Sequence, residues 1–354
     1  MRPEDDASAY AFELPEHLIA QHPAPQRDES RLMVVGRDRL EHHIFRDLPA
    51  FLRAGDVLVL NETRVIAARL FGTRPPGGGA VEVLLLHPAA GPRYDPSATA
   101  WVALVRPARR LHAGSVIEFG ELGIARVVAD LEEGMRELQF ELALPFEAFL
   151  ERAGRLPLPP YIRNDSEEAQ SRYQTVFARR PGSVAAPTAS LHFTGEVLQR
   201  IEAAGIEIVR LTLDVGLGTF RPMKAGRIDE HVMHEESYAI PDATAAAIRR
   251  AKDDGRRVVA AGTTVVRALE GNIRSHGRIV PGEGSTGIFI RPGFVFNAVD
   301  AMITNFHLPQ STLLVLVSAF AGRERILHAY REAVTHGYRF FSFGDAMLIE
   351  RCDG

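Results

Sequence analysis

The stretch from about Val65 to Leu144 has a different periodicity from the sequence on either side, and that interruption limits what the chain can fold into. Segments 81–87, 100–105, 115–119, 124–128 and 137–142 are short and apolar or alternating. Turns such as Pro75-Pro-Gly-Gly-Gly79 and Ala113-Gly114 separate them. Short strands with regular turn signals predict a small barrel or sandwich. The flanking texture is β/α. Segment 56–61 reads as a buried strand. After Thr194, which suits a helix N-cap, helices are predicted over 195–204, 241–254, from Thr263, over 311–321 and over 323–336. Segments 206–213 and 257–261 read as strands between them. The expected fold is α/β: a discontinuous α/β domain, residues 1–62 and 156–354, with an inserted small β-barrel domain, residues 63–155. Pro157-Leu-Pro-Pro-Tyr161 reads as a stiff return across that boundary.

Composition closes several functional classes. A chain of 354 residues can bury two cores. Its one cysteine, Cys352, excludes an intrachain disulfide and any multi-cysteine zinc or iron–sulfur site. The net charge of −4 means that a nucleic-acid partner must be met by a local basic face. The N-terminus begins Met-Arg-Pro-Glu-Asp-Asp, without a signal-peptide pattern, and the apolar run 313–320 is too short to span a bilayer. A cytoplasmic protein with no membrane partner is expected.

Three islands of small and hydroxylated residues are better suited to lining a polar ligand than to filling a core: Gly182–Thr194, Leu211–Pro222 and Thr304–Thr312. The first carries Thr188, Ser190 and His192. The second places Asp214 at a strand's C-terminal end beside Gly216, Gly218 and Thr219, where open α/β sheets bind ligands; a carboxylate capping a turn reads equally well. The third carries Asn305 and His307, the histidine read either as a site residue or as a buried, satisfied one. The run 258–267 reads as strand, tight turn and helix, so the amides after Gly262, with Thr263, Thr264 and Arg267, suit an anion. An ordinary βα turn with a threonine cap reads the same way. His231, His234 and Glu236 put two imidazoles and a carboxylate within six residues, a density that suits acid/base work. The spacing is not that of a zinc protease. Arg106, Arg109 and Arg110 form a basic cluster on the barrel, read either as a solvated face or as contacts to a nucleic-acid backbone.

From about Phe12 to Ile349 the sequence resembles the S-adenosylmethionine:tRNA ribosyltransferase-isomerases of queuosine biosynthesis. The resemblance rests on Asp28-Glu-Ser-Arg-Leu32, Ala103-Leu-Val-Arg-Pro107, Pro157–Ile162, Tyr173–Phe177, Gly182–Thr194, Val215–Pro222, His231-x-Met-His234-x-Glu236, Thr304–Leu314 and Tyr338–Met347. It implies an α/β domain with an inserted barrel. It also implies transfer of the ribosyl part of S-adenosylmethionine to the aminomethyl-7-deazaguanine (preQ1) base at a tRNA wobble position, with isomerisation to the epoxycyclopentanediol of epoxyqueuosine. Adenine and methionine would leave.

On this reading S-adenosylmethionine is a co-substrate, and no metal or iron–sulfur cluster is expected. His192, His231, His234 and Glu236 would be the acid/base groups. Thr188, Ser190, Asp214, Gly216, Gly218, Thr219, Thr263, Thr264, Arg267, Asn305 and His307 would hold the co-substrate, and Arg106, Arg109 and Arg110 the tRNA. A monomer is expected. The sequence departs from the family pattern at Asp214, Gly287 and Glu62, where His, Asp and Asp are usual. The competing readings are an S-adenosylmethionine-dependent tRNA methyltransferase, a non-catalytic RNA-binding protein and a metal hydrolase using His231, His234 and Glu236.

Overall fold

A computed structural model describes residues 3–91, 94–216 and 226–351. The chain divides into two units, one of residues 1–63, 160–179 and 186–354, the other of residues 64–159 and 180–185.

The larger unit is built on a nine-stranded mixed sheet. Its order is Gly282–Thr286, Glu236–Ile240, Glu207–Leu213, Val57–Asn61, Val258–Ala261, Ala301–Asn305, Ala346–Glu350, Arg31–Val35, Leu40–Ile44. The four strands from Glu207–Leu213 to Ala301–Asn305 are parallel. Three of them, Val57–Asn61, Val258–Ala261 and Ala301–Asn305, are buried throughout and mostly apolar, whereas Glu207–Leu213 is fully buried only over its last three residues. The helices Asp242–Asp253, Thr263–His276, Thr312–Ala321 and Arg323–Thr335 follow these strands in the chain. Phe45, Phe193, Val197 and Ile201 pack with Leu58, Leu60 and Ile303 in one core.

The antiparallel additions were not visible as strands in the sequence. Arg31–Val35, Glu236–Ile240, Gly282–Thr286 and Ala346–Glu350 are each five residues long. Pairing to a neighbour, rather than local pattern, makes them strands. Ala346–Glu350 runs antiparallel to Ala301–Asn305 and parallel to Arg31–Val35.

The smaller unit contains a closed six-stranded barrel in the order Arg69–Arg74, Gly79–Pro88, Ala100–Arg106, Met135–Leu142, Gly123–Asp130, Val116–Glu118. Closure falls at Thr73 opposite Glu118. A Cβ at Gly72 would lie 2.7 Å from the Glu118 carbonyl oxygen, so only glycine lets the two strands meet there. Trp101 stacks on Phe146 with centroids 5.0 Å apart, and Phe119, Phe140 and Phe149 complete the aromatic cluster.

Candidate active site

The C-terminal ends of the parallel strands open on a cavity within the larger unit. Its wall is formed by residues 186–189, by Val215, by 262–264, by the run 304–311 with Leu313, and by Phe341 and Ser342. All three islands of small and polar residues thus contribute to one pocket. They do so because each follows a strand or enters a helix at the same edge of the sheet.

The helix Thr263–His276 begins on this wall with Gly262 as N-cap at φ 105°, a conformation that favours glycine. No side chain caps it, so its first amides face the cavity without an intrahelical acceptor. The Oγ1 of Thr264 beside them is buried and has no hydrogen-bond partner. Neither has Asn305 Oδ1, nor Ser190 Oγ in the same short turn as Thr188. Buried polar atoms in a folded protein are nearly always satisfied, so the two on wall residues, Thr264 and Asn305, indicate where a ligand's own groups belong, with Ser190 just behind the wall.

Two residues on this wall occupy left-handed backbone conformations without being glycine, Gln310 at φ 55° and Phe341 at φ 75°. Such conformations cost of order 1–3 kcal/mol and persist where surrounding contacts impose them. For Phe341 those contacts are evident. Its amide donates to the Phe306 carbonyl at 3.0 Å, and its ring meets Tyr161 at 4.2 Å. The buried carboxylate of Asp345 ties down the rest of the turn, accepting from the amides of Arg31 and Arg339 at 2.9 and 2.8 Å.

The predicted site residues separate into groups. Thr188, Thr263, Thr264, Asn305 and His307 line the cavity. His307 is neutral, since burial pulls it down to about 3, and its Nε2 is paired with Thr304 Oγ1 at 3.0 Å. His192 is behind the wall. Burial pulls it down to about 4, and its two ring nitrogens are engaged by Ser30 and Asn305. Gly216 donates its amide to Glu236 at 3.4 Å, and Asp214 accepts from Thr63 Oγ1 at 2.8 Å.

His231, His234 and Glu236 do not converge. His234 is exposed, and His231 packs edge-on against Phe289 at 5.5 Å. Glu236, at the start of its strand, turns inward to form a buried ion pair with Arg267. Arg267 also reaches the carbonyls of Ile288 and Thr286, both at 3.4 Å. Its guanidinium is therefore committed behind the cavity and does not line it. Gly218 and Thr219 lie outside the described residues. Arg106, Arg109 and Arg110 are exposed on the barrel unit. A Cβ at Gly287 would meet nothing closer than Glu235 Cγ at 3.5 Å, so crowding does not explain the absence of a side chain there.

Sequence reasoning missed Phe341 and Ser342 on the wall and Ser30 behind it against His192, whereas Gln310 falls within the Thr304–Thr312 island without having been singled out. Ser30, Phe341 and Ser342 fall in stretches already noted for the family resemblance, but nothing local marks an internal serine or phenylalanine as part of a site. Gly344 is the nearest signal, since a Cβ there would lie 2.6 Å from the Phe340 carbonyl carbon.

Known proteins match this chain over most of its length. The family model described as "Queuosine biosynthesis protein" matches residues 7–349. The chain belongs to that family. An S-adenosylmethionine:tRNA ribosyltransferase-isomerase of Rubrobacter xylanophilus is 55% identical over 340 residues, 96% of each chain. Its counterpart from Gloeobacter violaceus is 54% identical over 342 residues, 96% of this chain and 95% of that one. The crystal structure of S-adenosylmethionine tRNA ribosyltransferase from Thermotoga maritima shares 37% identity, with a TM-score of 0.54, over 97% of this chain and 100% of that chain. Among the described residues of this family member, no cluster of three or more His, Cys, Asp or Glu side chains is arranged to hold a metal. No helix among them is long and apolar enough to cross a membrane.

Proposed function

We propose that this chain is a transferase-isomerase that moves the ribosyl part of S-adenosylmethionine onto the aminomethyl-7-deazaguanine (preQ1) base at a tRNA wobble position. The sugar is isomerised to the epoxycyclopentanediol, and adenine and methionine are released. The names of its relatives support the reaction. The structural observation that carries it is the cavity at the strand ends, largely apolar but with unpartnered buried polar atoms and a helix N-terminus that fit a ligand bearing both N–H donors and a carboxylate. The co-substrate supplies a sulfonium, which acidifies the adjoining carbon and departs as a neutral thioether.

The chain's own residues have distinct tasks. Thr263 and Thr264, with the first amides of their helix, hold the methionyl carboxylate. Asn305 and Ser190 supply polar contacts from the opposite segments. His307 is the imidazole that reaches the cavity, and its neutral form, held by Thr304, is the proton-handling group. Glu236 and Arg267 shape the turn at Gly216 through their ion pair. Arg106, Arg109 and Arg110 contact tRNA phosphates, which positions the RNA without reading its sequence. The protein acts as a monomer in the cytoplasm.

The test uses purified protein, an anticodon stem-loop carrying the aminomethyl base, and S-adenosylmethionine labelled separately in ribose and methyl. Ribose label in the RNA with stoichiometric adenine and methionine supports the proposal. Methyl label in the RNA replaces it with methyl transfer. Absence of adenine under all conditions replaces it with RNA binding alone.

A further inference from the structure

The orientation of the Asn305 amide follows from its neighbours. One of its side-chain atoms lies 3.1 Å from the Phe341 carbonyl oxygen. A carbonyl only accepts, so that atom is the nitrogen, Nδ2. The same nitrogen lies 3.1 Å from His192 Nε2. Nε2 therefore accepts, and the imidazole proton is on Nδ1, which donates to Ser30 Oγ at 2.7 Å. Ser30 passes its own proton to the Arg27 carbonyl at 3.3 Å. Each donor in this chain has one acceptor, and the series ends on a backbone oxygen. Turning the amide over would set Oδ1 against the Phe341 carbonyl and the His192 lone pair together.

One atom is left. Asn305 Oδ1 is buried, has no partner, and belongs to a residue of the cavity wall. It can only accept a hydrogen bond.

We propose that Asn305 Oδ1 is a fixed acceptor for an amine N–H of the co-substrate, and that His192 is a positioning residue that, together with the Phe341 carbonyl, holds the amide in this orientation without itself touching the ligand. The inference rests on the ribosyl-transfer reading and adds to it the atom that recognises the donor. Burial keeps His192 neutral, so the lock holds at neutral pH. A buried acceptor that finds no donor opposes binding, so the site discriminates against a ligand lacking the amine more strongly than apolar contacts would. The purine 6-amino group and the methionyl α-amine both carry the required N–H.

The experiment measures dissociation constants by calorimetry on the full-length protein. The ligands are S-adenosylmethionine, an analogue with hydrogen in place of the purine 6-amino group, and one with hydrogen in place of the methionyl amine. Wild type should bind one analogue at least about tenfold more weakly than the parent. Which analogue suffers identifies the donor. H192Q places an amide oxygen where Nε2 accepts and should retain the penalty. H192F removes one of the two acceptors that hold Nδ2, leaving the Phe341 carbonyl, and should reduce the penalty by about half or more. S30A, which removes only the Nδ1 partner, gives a milder second variant and should reduce it in part.

Equal affinity of wild type for all three ligands overturns the proposal, whatever the variants do. A full penalty surviving in H192F and S30A overturns the role of His192. Failure of wild type to bind the parent compound, even with the stem-loop present, sinks the ribosyl-transfer reading instead.

Discussion

Acidification should destabilise the larger unit by an amount set by two buried histidines. Burial pulls His192 down to about 4 and His307 down to about 3. In an unfolded chain both titrate near about 6.5. Above that pH neither state binds the proton and the histidines contribute nothing. As pH falls through the unfolded value, the unfolded chain takes up protons that the native state refuses, and stability is lost until the folded values are reached. Between about pH 7 and about pH 5, linkage gives a loss of roughly 2 kcal/mol for each histidine, or roughly 4 kcal/mol for both. The assay is urea unfolding followed by far-ultraviolet circular dichroism. Fluorescence would mislead, because the single tryptophan, Trp101, belongs to the barrel. Carboxylates also titrate at the acid end, so the decisive quantity is the difference between wild type and variants. H192Q and H307Q should each remove roughly 2 kcal/mol of the pH-dependent loss. Equal slopes in wild type and both variants would refute the reasoning, because neither imidazole could then be buried and neutral.

Three further outcomes follow from particular contacts. Arg267→Met removes the guanidinium opposite the buried Glu236 and should cost about 3–5 kcal/mol in unfolding free energy, far more than substitution of an exposed arginine. Gly271→Ala sets a Cβ 2.9 Å from Thr286 Cβ and closer still to its Oγ1, and should cost about 1–3 kcal/mol by thermal or chemical unfolding; adding Thr286→Ala removes the Oγ1 contact, keeps the Cβ contact and should restore only part of the loss. Replacing Arg106, Arg109 and Arg110 by Ala should weaken tRNA affinity evenly across sequences and lower the magnitude of the salt slope by up to about 1 per arginine removed; an unchanged slope would place tRNA contacts elsewhere.

Sequence alone marks the two textures, three of the four central parallel strands and the segments that reach the pocket; the fourth strand, Ala301–Asn305, emerges only in the structure. Those features follow from local rules: unbroken apolar runs for buried strands, Gly262 before a helix, and small hydroxylated residues where backbone must approach a ligand. It could not determine which side of each segment faces the cavity. His192, His234, Glu236 and Arg267 stand in the sequence as candidate site residues on the same footing as His307 and Thr264. Pairing in space gave the first four other fates: His192 an amide to hold, Glu236 and Arg267 each other, and His234 the solvent. The edge strands Glu236–Ile240 and Gly282–Thr286 were hidden because they lack the continuous apolar run that marks Val57–Asn61, and pairing with a neighbour makes them strands. Phe341 shows the same limit. Its left-handed backbone is imposed by Phe306, Tyr161 and the Asp345 carboxylate next to the turn, and no residue beside it in sequence announces that constraint.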